Sequence, residues 1–268
     1  MLIKDSLDFK RFGIVMTVDS KSSPPIEFSI IIPMNNESEN VSPLICEITG
    51  ILDNHFIYEI ICIDDGSKDS TLSNLITLKG EHKNLRICHH KNCKGQSSAI
   101  ISGVCAARGD VIVTLDGDGQ NDPADIPKLV GQYNKEAEFH ETMIVGWRTQ
   151  RQDNWVRKLS SGTANWARSV LLSDATPDTG CGLKVFGREM FLKLPQFDHM
   201  HRFLPILAVR GGGRVFSFPV NHRSRVHGSS SYGIWNRLWI GIVDVIGVMW
   251  LVRRPISDIP AFDHERAK

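Results

Sequence analysis

The chain has 268 residues, 31 of them basic and 30 acidic, and 41% are hydrophobic. That length fits one large α/β domain, or one domain with an appendage. The near-balance of charge excludes a global field for nucleic acid. Six cysteines without a CxxC pair sit mostly in apolar runs, as expected for buried, reduced thiols of a cytosolic protein. Cys88 and Cys93 with His89 and His90 offer a zinc cluster as the alternative.

Residues 1–25 contain no long apolar run and end in Ser22-Ser23-Pro24-Pro25, so a loosely ordered lead-in is expected rather than a signal peptide. A domain expected over 26–232 follows. Phe28–Ile32 reads as a strand that Pro33 ends, Asn40–Leu52 as a helix, and Tyr58–Ile63 as a second strand. Asp69–Leu78 has helical character with Asp69 as N-cap. Leu85–Cys88 is a strand and Gln96–Arg108 a helix closed by Gly109. Val111–Leu115 is a β-branched, buried strand. A helix over Pro123–Ala137 and the strand Met143–Gly146 complete the regular part. This alternation predicts an α/β fold with a mainly parallel sheet between helices.

Beyond Trp147 the pattern changes. Arg148, Arg151, Arg157, Lys158 and Arg168 fall in a tryptophan-containing stretch poor in acids, with a helix expected over Trp155–Leu172. Gly182–Phe186 and Arg214–Val220 read as strands, with a helix over Arg202–Val209 between them. Ile234–Val252 is apolar, contains Trp235, Trp239 and Trp250, and runs into Arg253-Arg254. It is short for a span and carries Asp244 near its centre, which is costly in hydrocarbon. Residues 233–254 are therefore expected to form an amphipathic helix on a membrane surface, anchored by aromatic and arginine side chains. A helix packed on the domain is the alternative. Residues 255–268 form a polar tail.

The most informative stretch is the end of the fourth strand, Asp116-Gly117-Asp118-Gly119-Gln120. Two carboxylates close together at a strand's carboxyl end repel unless a cation joins them, and their hard oxygens suit Mg²⁺ or Mn²⁺. The glycines would let a polyphosphate approach the backbone. An ordinary Asp-Gly turn is the competing reading. The first two strands also deliver acids, in Asn35-Asn36-Glu37 and in Asp64-Asp65-Gly66-Ser67. Three such ends on one sheet edge are costly unless each acid has its own partner. A nucleotide supplies these through its base, its ribose hydroxyls and a metal-bridged diphosphate.

The ordered set Pro33…Asn36-Glu37, Asp64-Asp65-Gly66-Ser67-x-Asp69-x-Thr71, Asn92…Gly95-Gln96 and Asp116-x-Asp118-x-Gln120 resembles the family 2 inverting glycosyltransferases of the GT-A fold. Asp178-Thr179-Gly180-Cys181-Gly182 and Asn221-His222-Arg223-x-Arg225-x-His227-Gly228-x-Ser230 narrow it to the polyprenyl-phosphate, dolichyl-phosphate mannose synthase-like branch. The resemblance covers nearly all of Phe28–Arg254. It implies that Pro33, Glu37, Asp65, Gln96 and Asp116 hold the nucleotide, with Asp116, Asp118 and Gln120 as metal ligands. It also implies that Arg148, Arg157, Ser161 and Arg225 grip the acceptor phosphate, and that Asp116, Asp118, Arg148 and Arg225 carry catalysis. Two positions depart from the family. Gly228-Ser229-Ser230-Ser231 lacks the usual lysine, and Lys94 stands beside Gly95.

The implied reaction moves a sugar from a nucleotide sugar to undecaprenyl or dolichyl phosphate at the cytoplasmic face of a membrane. GDP-mannose is the first expectation for the donor and a UDP-hexose the next, carrying glucose or an amino sugar. The acceptor phosphate is already anionic, so no strong general base is needed, and His201 and His227 are expected to be structural or phosphate-positioning. Guanidinium groups match phosphate oxygens bidentately. The arginine-rich stretch can otherwise be a solvated face or a patch for anionic lipids. Transfer to a saccharide hydroxyl, and a catalytically silent nucleotide- or lipid-binding protein, are the rival functions. A nucleotidyltransferase would want a glycine- and lysine-rich loop after the first strand, and Pro33-Met34-Asn35-Asn36-Glu37 is not one.

Overall fold

The computed structural model describes residues 25–137, 141–149, 176–225 and 234–254. Its strands are β1 (Phe28–Met34), β2 (Tyr58–Asp65), β3 (Leu85–His90), β4 (Val111–Thr114), β5 (Thr142–Arg148), β6 (Lys184–Gly187) and β7 (Arg214–Val220). Its longer helices are α1 (Val41–Leu52), α2 (Thr71–Glu81), α3 (Gln96–Ala106), α4 (Ile126–Glu136), α5 (Arg188–Lys193), α6 (Leu204–Arg210) and α7 (Ile234–Val252). The strands join into one sheet in the order β3-β2-β1-β4-β6-β5-β7. All neighbouring pairs are parallel except β4·β6 and β5·β6. This is the expected mixed, mainly parallel GT-A sandwich.

The central strands are apolar on both faces because helices cover both. Ile30 and Ile32 of β1 face one core with Val41, Leu44, Ile45 and Ile48 of α1, Leu75 of α2 and Leu129 of α4. Ile31 faces the other core with Ile100 and Val104 of α3, Phe191 of α5 and Leu204 and Leu207 of α6. The alternation follows from the two-residue strand period, and the i, i+3, i+4 spacing of α1 puts one stripe on the sheet.

Several expected boundaries shift. Pro33 does not end pairing: β1 continues to Met34, with Pro33 opposite Ile63 of β2. Ile31 faces β4, because its carbonyl accepts from Leu115 N–H. Residue 33 therefore faces that same side, beyond the last β4 pair Ile31–Thr114, where a missing N–H breaks no ladder. The N-cap of α2 is Ser70 rather than Asp69. Asp69 Oδ1 instead accepts from the Thr71 N–H and hydroxyl in a local Asx-type turn. Helix α3 ends at Ala106, so Gly109 does not close it. Gly109 is needed where the chain passes β1, since a Cβ there would stand 3.0 Å from the Phe28 carbonyl carbon and from Ser29 Oγ. The expected helix Trp155–Leu172 lies outside the described residues, as do most of the lead-in and the tail.

Helix α7 packs by one side against the core, through buried Val248 with Val245, Met249, Leu251 and Val252. Arg210 at the end of α6 holds its last turn, donating from Nε to the Leu251 carbonyl at 3.0 Å and from Nη2 to the Arg254 carbonyl at 3.3 Å. Asp244 Oδ2 lies 3.0 Å from His199 Nδ1, so this acid faces protein. The opposite side exposes Ile242, Val243, Ile246 and Trp250. The helix is thus packed on the domain and also presents a bare apolar face.

Candidate active site

Because β1 to β4 are mutually parallel, their carboxyl ends share one edge. β6 runs the other way, pairing Lys184 with Thr114, and so begins at that same edge. β5 and β7 run with β4 and bring Arg148 and residues 221–225 to it. The last of these segments is joined to the acidic loop: Asn121 and His222 form an antiparallel bridge. Arg223 N–H donates to the Gln120 carbonyl at 2.9 Å, while the Arg223 side chain grips Glu47 and Asp122.

Asp116 sits at the centre. Its N–H donates to Asn121 Oδ1 at 3.2 Å, and its Oδ1 accepts from Gln96 Nε2 at 2.9 Å. Burial first, then the charge of Asp118, push its carboxyl up to about 6, against the pull of Lys184, Arg148 and Gln96. Asp118 Oδ1 accepts from Gln120 N–H at 3.1 Å, and its Oδ2 accepts from Arg225 Nη2 at 2.9 Å. Two adjacent carboxylates, one of them destabilised as an anion, make a hard-oxygen set that a divalent cation relieves. The fit to Mg²⁺ or Mn²⁺ is therefore good for Asp116 and Asp118, with further oxygen ligands needed to fill the shell. Gln120 is less committed to such a role, since its Nε2 faces the Arg223 carbonyl at 3.4 Å.

The expected use of the loop glycines is corrected at Gly117 alone, since a Cβ on Gly119 would meet no described atom within 4 Å. Space above Gly117 is taken by the chain itself, with a hypothetical Cβ 2.9 Å from the Pro33 carbonyl oxygen and from Met34 Cγ, while Gly119 serves a turn at φ 72°. Among the described residues the tightest glycine is Gly182, where a Cβ would lie 2.1 Å from Asp116 Oδ2.

Glu37 and the second-strand motif meet through joined loops. Asn36 N–H donates to Ser67 Oγ, Lys68 N–H to Asn36 Oδ1, and Glu37 N–H to Thr71 Oγ1, all at 2.8–2.9 Å. Glu37 accepts from Asn40 Nδ2 at 2.6 Å and approaches Arg225 at 3.3 Å. Burial raises its carboxyl, opposed by Asn40 and Arg225. Asp65 behaves differently from an open base-binding acid. Its Oδ1 faces His90 Nδ1 at 2.7 Å and accepts from Lys94 N–H, and its Oδ2 accepts from the Cys93 thiol and Gly95 N–H. Burial alone would push this carboxyl up, but these donors outweigh it and hold it below the ordinary range. Here Asp65 pins the 92–95 loop, including the unusual Lys94. His89 turns to the other face and meets Asp64 Oδ2 at 2.8 Å, so the two histidines do not converge.

Arg225 donates to Asp118 and Arg148 lies within electrostatic reach of Asp116, whereas Arg157, Ser161 and His227 lie outside the described residues. His201 is well shielded, and burial brings its pKa down to about 3. Its Nδ1 is 2.8 Å from Ser97 Oγ, a structural role for a neutral ring. Two pairings had no local signal in the sequence. Asp178 binds Arg148 across 30 positions of chain. Lys184, buried within an apolar strand, donates to the Cys181 carbonyl, and burial lowers its pKa despite the nearby acids.

Residues 29–194 match the family described as Glycosyl transferase family 2. The chain is 35% identical over 233 residues to the dodecaprenyl-phosphate galacturonate synthase of Rhizobium johnstonii, covering 85% of this chain and 68% of that protein. It is 34% identical over 211 residues to the undecaprenyl-phosphate 4-deoxy-4-formamido-L-arabinose transferase of Aeromonas hydrophila, covering 77% of this chain and 63% of that one. The fold resembles that of the mannosyltransferase PcManGT from Pyrobaculum calidifontis, solved with GDP-Man and Mn²⁺, at a TM-score of 0.63 and 19% identity over 85% of this chain and 65% of that one. It also resembles Mycobacterium tuberculosis glucosyl-3-phosphoglycerate synthase, solved with Mg²⁺ and UDP, at 0.61 and 20% identity over 87% and 82%. On this family match and these relatives, the chain belongs to glycosyltransferase family 2, in the branch of the polyprenyl-phosphate sugar transferases.

Proposed function

We propose that the protein transfers a sugar from a nucleoside diphosphate sugar to a polyprenyl phosphate, inverting the anomeric centre, at the cytoplasmic face of a membrane. The observation that carries this reading is the convergence of two arginines on the acid pair: Arg225, after β7, donates to Asp118, and Arg148, at the end of β5, lies within electrostatic reach of Asp116. A phosphate acceptor needs guanidinium donors and no base. His201, whose pKa burial lowers so that the ring is neutral, fits that chemistry. The acceptor oxygen would form a bond to the anomeric carbon as the bond to the diphosphate breaks, the electron pair leaving with the diphosphate.

Asp116 and Asp118 would hold Mg²⁺ or Mn²⁺, which when bound neutralises charge on the departing diphosphate. Glu37 and Gln96 would orient the nucleotide, and Pro33 would line its site. Asp65 would act by shaping the 92–95 loop beside it. Arg148 and Arg225, with Arg157 and Ser161, would bind the acceptor phosphate. Charge stabilisation and positioning then supply the rate.

The sequence alone puts mannose first and glucose or an amino sugar from a UDP donor next, whereas the relatives named above are a galacturonate synthase and a formamido-arabinose transferase. A uronic acid therefore joins the mannose, glucose and amino-sugar donors to test. Membrane contact is assigned to the exposed side of α7, with Ile242, Val243, Ile246 and Trp250. Among the described residues no helix is long and apolar enough to cross a membrane. The test is transfer to a short polyprenyl phosphate with Mn²⁺ from a panel of labelled GDP- and UDP-sugars, uronates included. Product from one donor, lost with chelator, is expected. Nucleotide binding without transfer from any donor would refute the reading in favour of a silent binding protein.

A further inference from the structure

Asp178 precedes β6, yet its carboxylate is spent on β5. Arg148 Nε donates to Asp178 Oδ2 at 2.6 Å, Nη2 donates to Oδ1 at 2.8 Å, and Arg148 N–H reaches Oδ2 at 3.3 Å. This is the two-pronged geometry that fixes a guanidinium plane as well as its position. The pair is well shielded, with Asp178 at 3% and Arg148 at 18% side-chain exposure. Gly180 leaves room for it, since a Cβ there would lie 3.3 Å from Arg148 Nη2. The prongs use Nε and one Nη2 hydrogen, and Nη1 remains uncommitted among the described residues. Asp116 is a second acid within electrostatic reach of the same guanidinium.

We propose that Asp178 is a positioning residue for the acceptor phosphate: it holds Arg148 in one orientation before the acceptor arrives and keeps that guanidinium off Asp116. A preset donor loses less freedom on binding, and the acidic pair is left to the donor side of the reaction. This inference rests on the acceptor role of Arg148 given under Proposed function. It predicts that Asp178 acts on acceptor use through Arg148.

The test is a double-mutant cycle in the full chain, with Asp178→Asn, Arg148→Ala and the pair, measuring acceptor KM, kcat and nucleotide Kd. Each single change is expected to raise acceptor KM on the order of 10- to 100-fold with nucleotide Kd unchanged. The double variant is expected to be no worse than Arg148→Ala. Multiplying effects, or a nucleotide Kd that rises with acceptor KM in Asp178→Asn, would overturn the proposal. If Asp178→Asn does not fold, Arg148→Lys keeps a charge for Asp178 but loses the two-pronged bond. It should show the same rise in acceptor KM, and a normal KM would overturn the proposal. An unmodified enzyme that transfers to no polyprenyl phosphate would instead refute the assigned function.

Discussion

Alanine at position 182 should remove Asp116 from the site while leaving the fold in place. The added Cβ would lie 2.1 Å from Asp116 Oδ2, 2.2 Å from Cγ and 2.5 Å from Oδ1, against 3.4 Å where ordinary contact begins. Residue 182 cannot retreat easily, because its carbonyl accepts from Thr114 Oγ1 at 2.7 Å and the next carbonyl, of Leu183, from Gly146 N–H at 2.9 Å. Asp116 can retreat: two side-chain torsions carry it away at the loss of the Gln96 bond. The cost to stability should be about 1 kcal/mol, the worth of one ordinary hydrogen bond. The cost to catalysis should match loss of a charge-stabilising group, on the order of 100- to 1000-fold in kcat. Turnover with a fixed donor, Mn²⁺ binding by electron paramagnetic resonance and thermal unfolding give the three readouts. Asp118→Asn is the reference for a lost ligand and should abolish metal-dependent transfer. Near-normal turnover and Mn²⁺ affinity in Gly182→Ala would refute the placement of Asp116 as a required ligand.

Arg225 donates to Asp118 and approaches Glu37, so Arg225→Ala should raise acceptor KM far more than donor KM. It should also tighten Mn²⁺ binding without nucleotide by freeing Asp118. Equal effects on both substrates would remove Arg225 from the acceptor site. His201 stays neutral in the fold down to about pH 3, whereas the unfolded chain protonates it near pH 6.5. The unfolded state then binds the extra proton, so stability is full above that pH and falls as pH drops toward 3. His201→Gln should flatten this acid limb by up to about 1.4 kcal/mol per pH unit, and an unchanged slope in denaturant titrations would refute it. On α7, replacing the exposed Val243, Ile246 and Trp250 with serine or glutamine should weaken binding to anionic vesicles without lowering the unfolding temperature. Unchanged sedimentation with vesicles would put the membrane contact elsewhere. Deleting α7 is the poorer test, because Val248 is part of the core.

Much of this protein is legible one segment at a time. The apolar runs of β1, β2 and β4 and the periodic stripe of α1 report their own burial, because each follows from side-chain alternation within a few residues. The placement of Asp116, Asp118 and Glu37 was readable for a similar reason: acids directly after a buried strand emerge at the sheet edge. Other features needed the assembled sheet. The antiparallel insertion of β6 between β4 and β5 places Gly182 against Asp116 and Asp178 against Arg148. The return of β7 beside β5 sets Arg225 over Asp118. Saturation of Asp65 by His90 and the 93–95 loop likewise joins segments that share no local pattern. Sequence by itself determined the layers, the strand-end acids and the family. Tertiary structure alone decided which acid meets which cation, because hydrophobic burial is a property of each segment whereas an ion pair or a 2.1 Å exclusion depends on the relative placement of two.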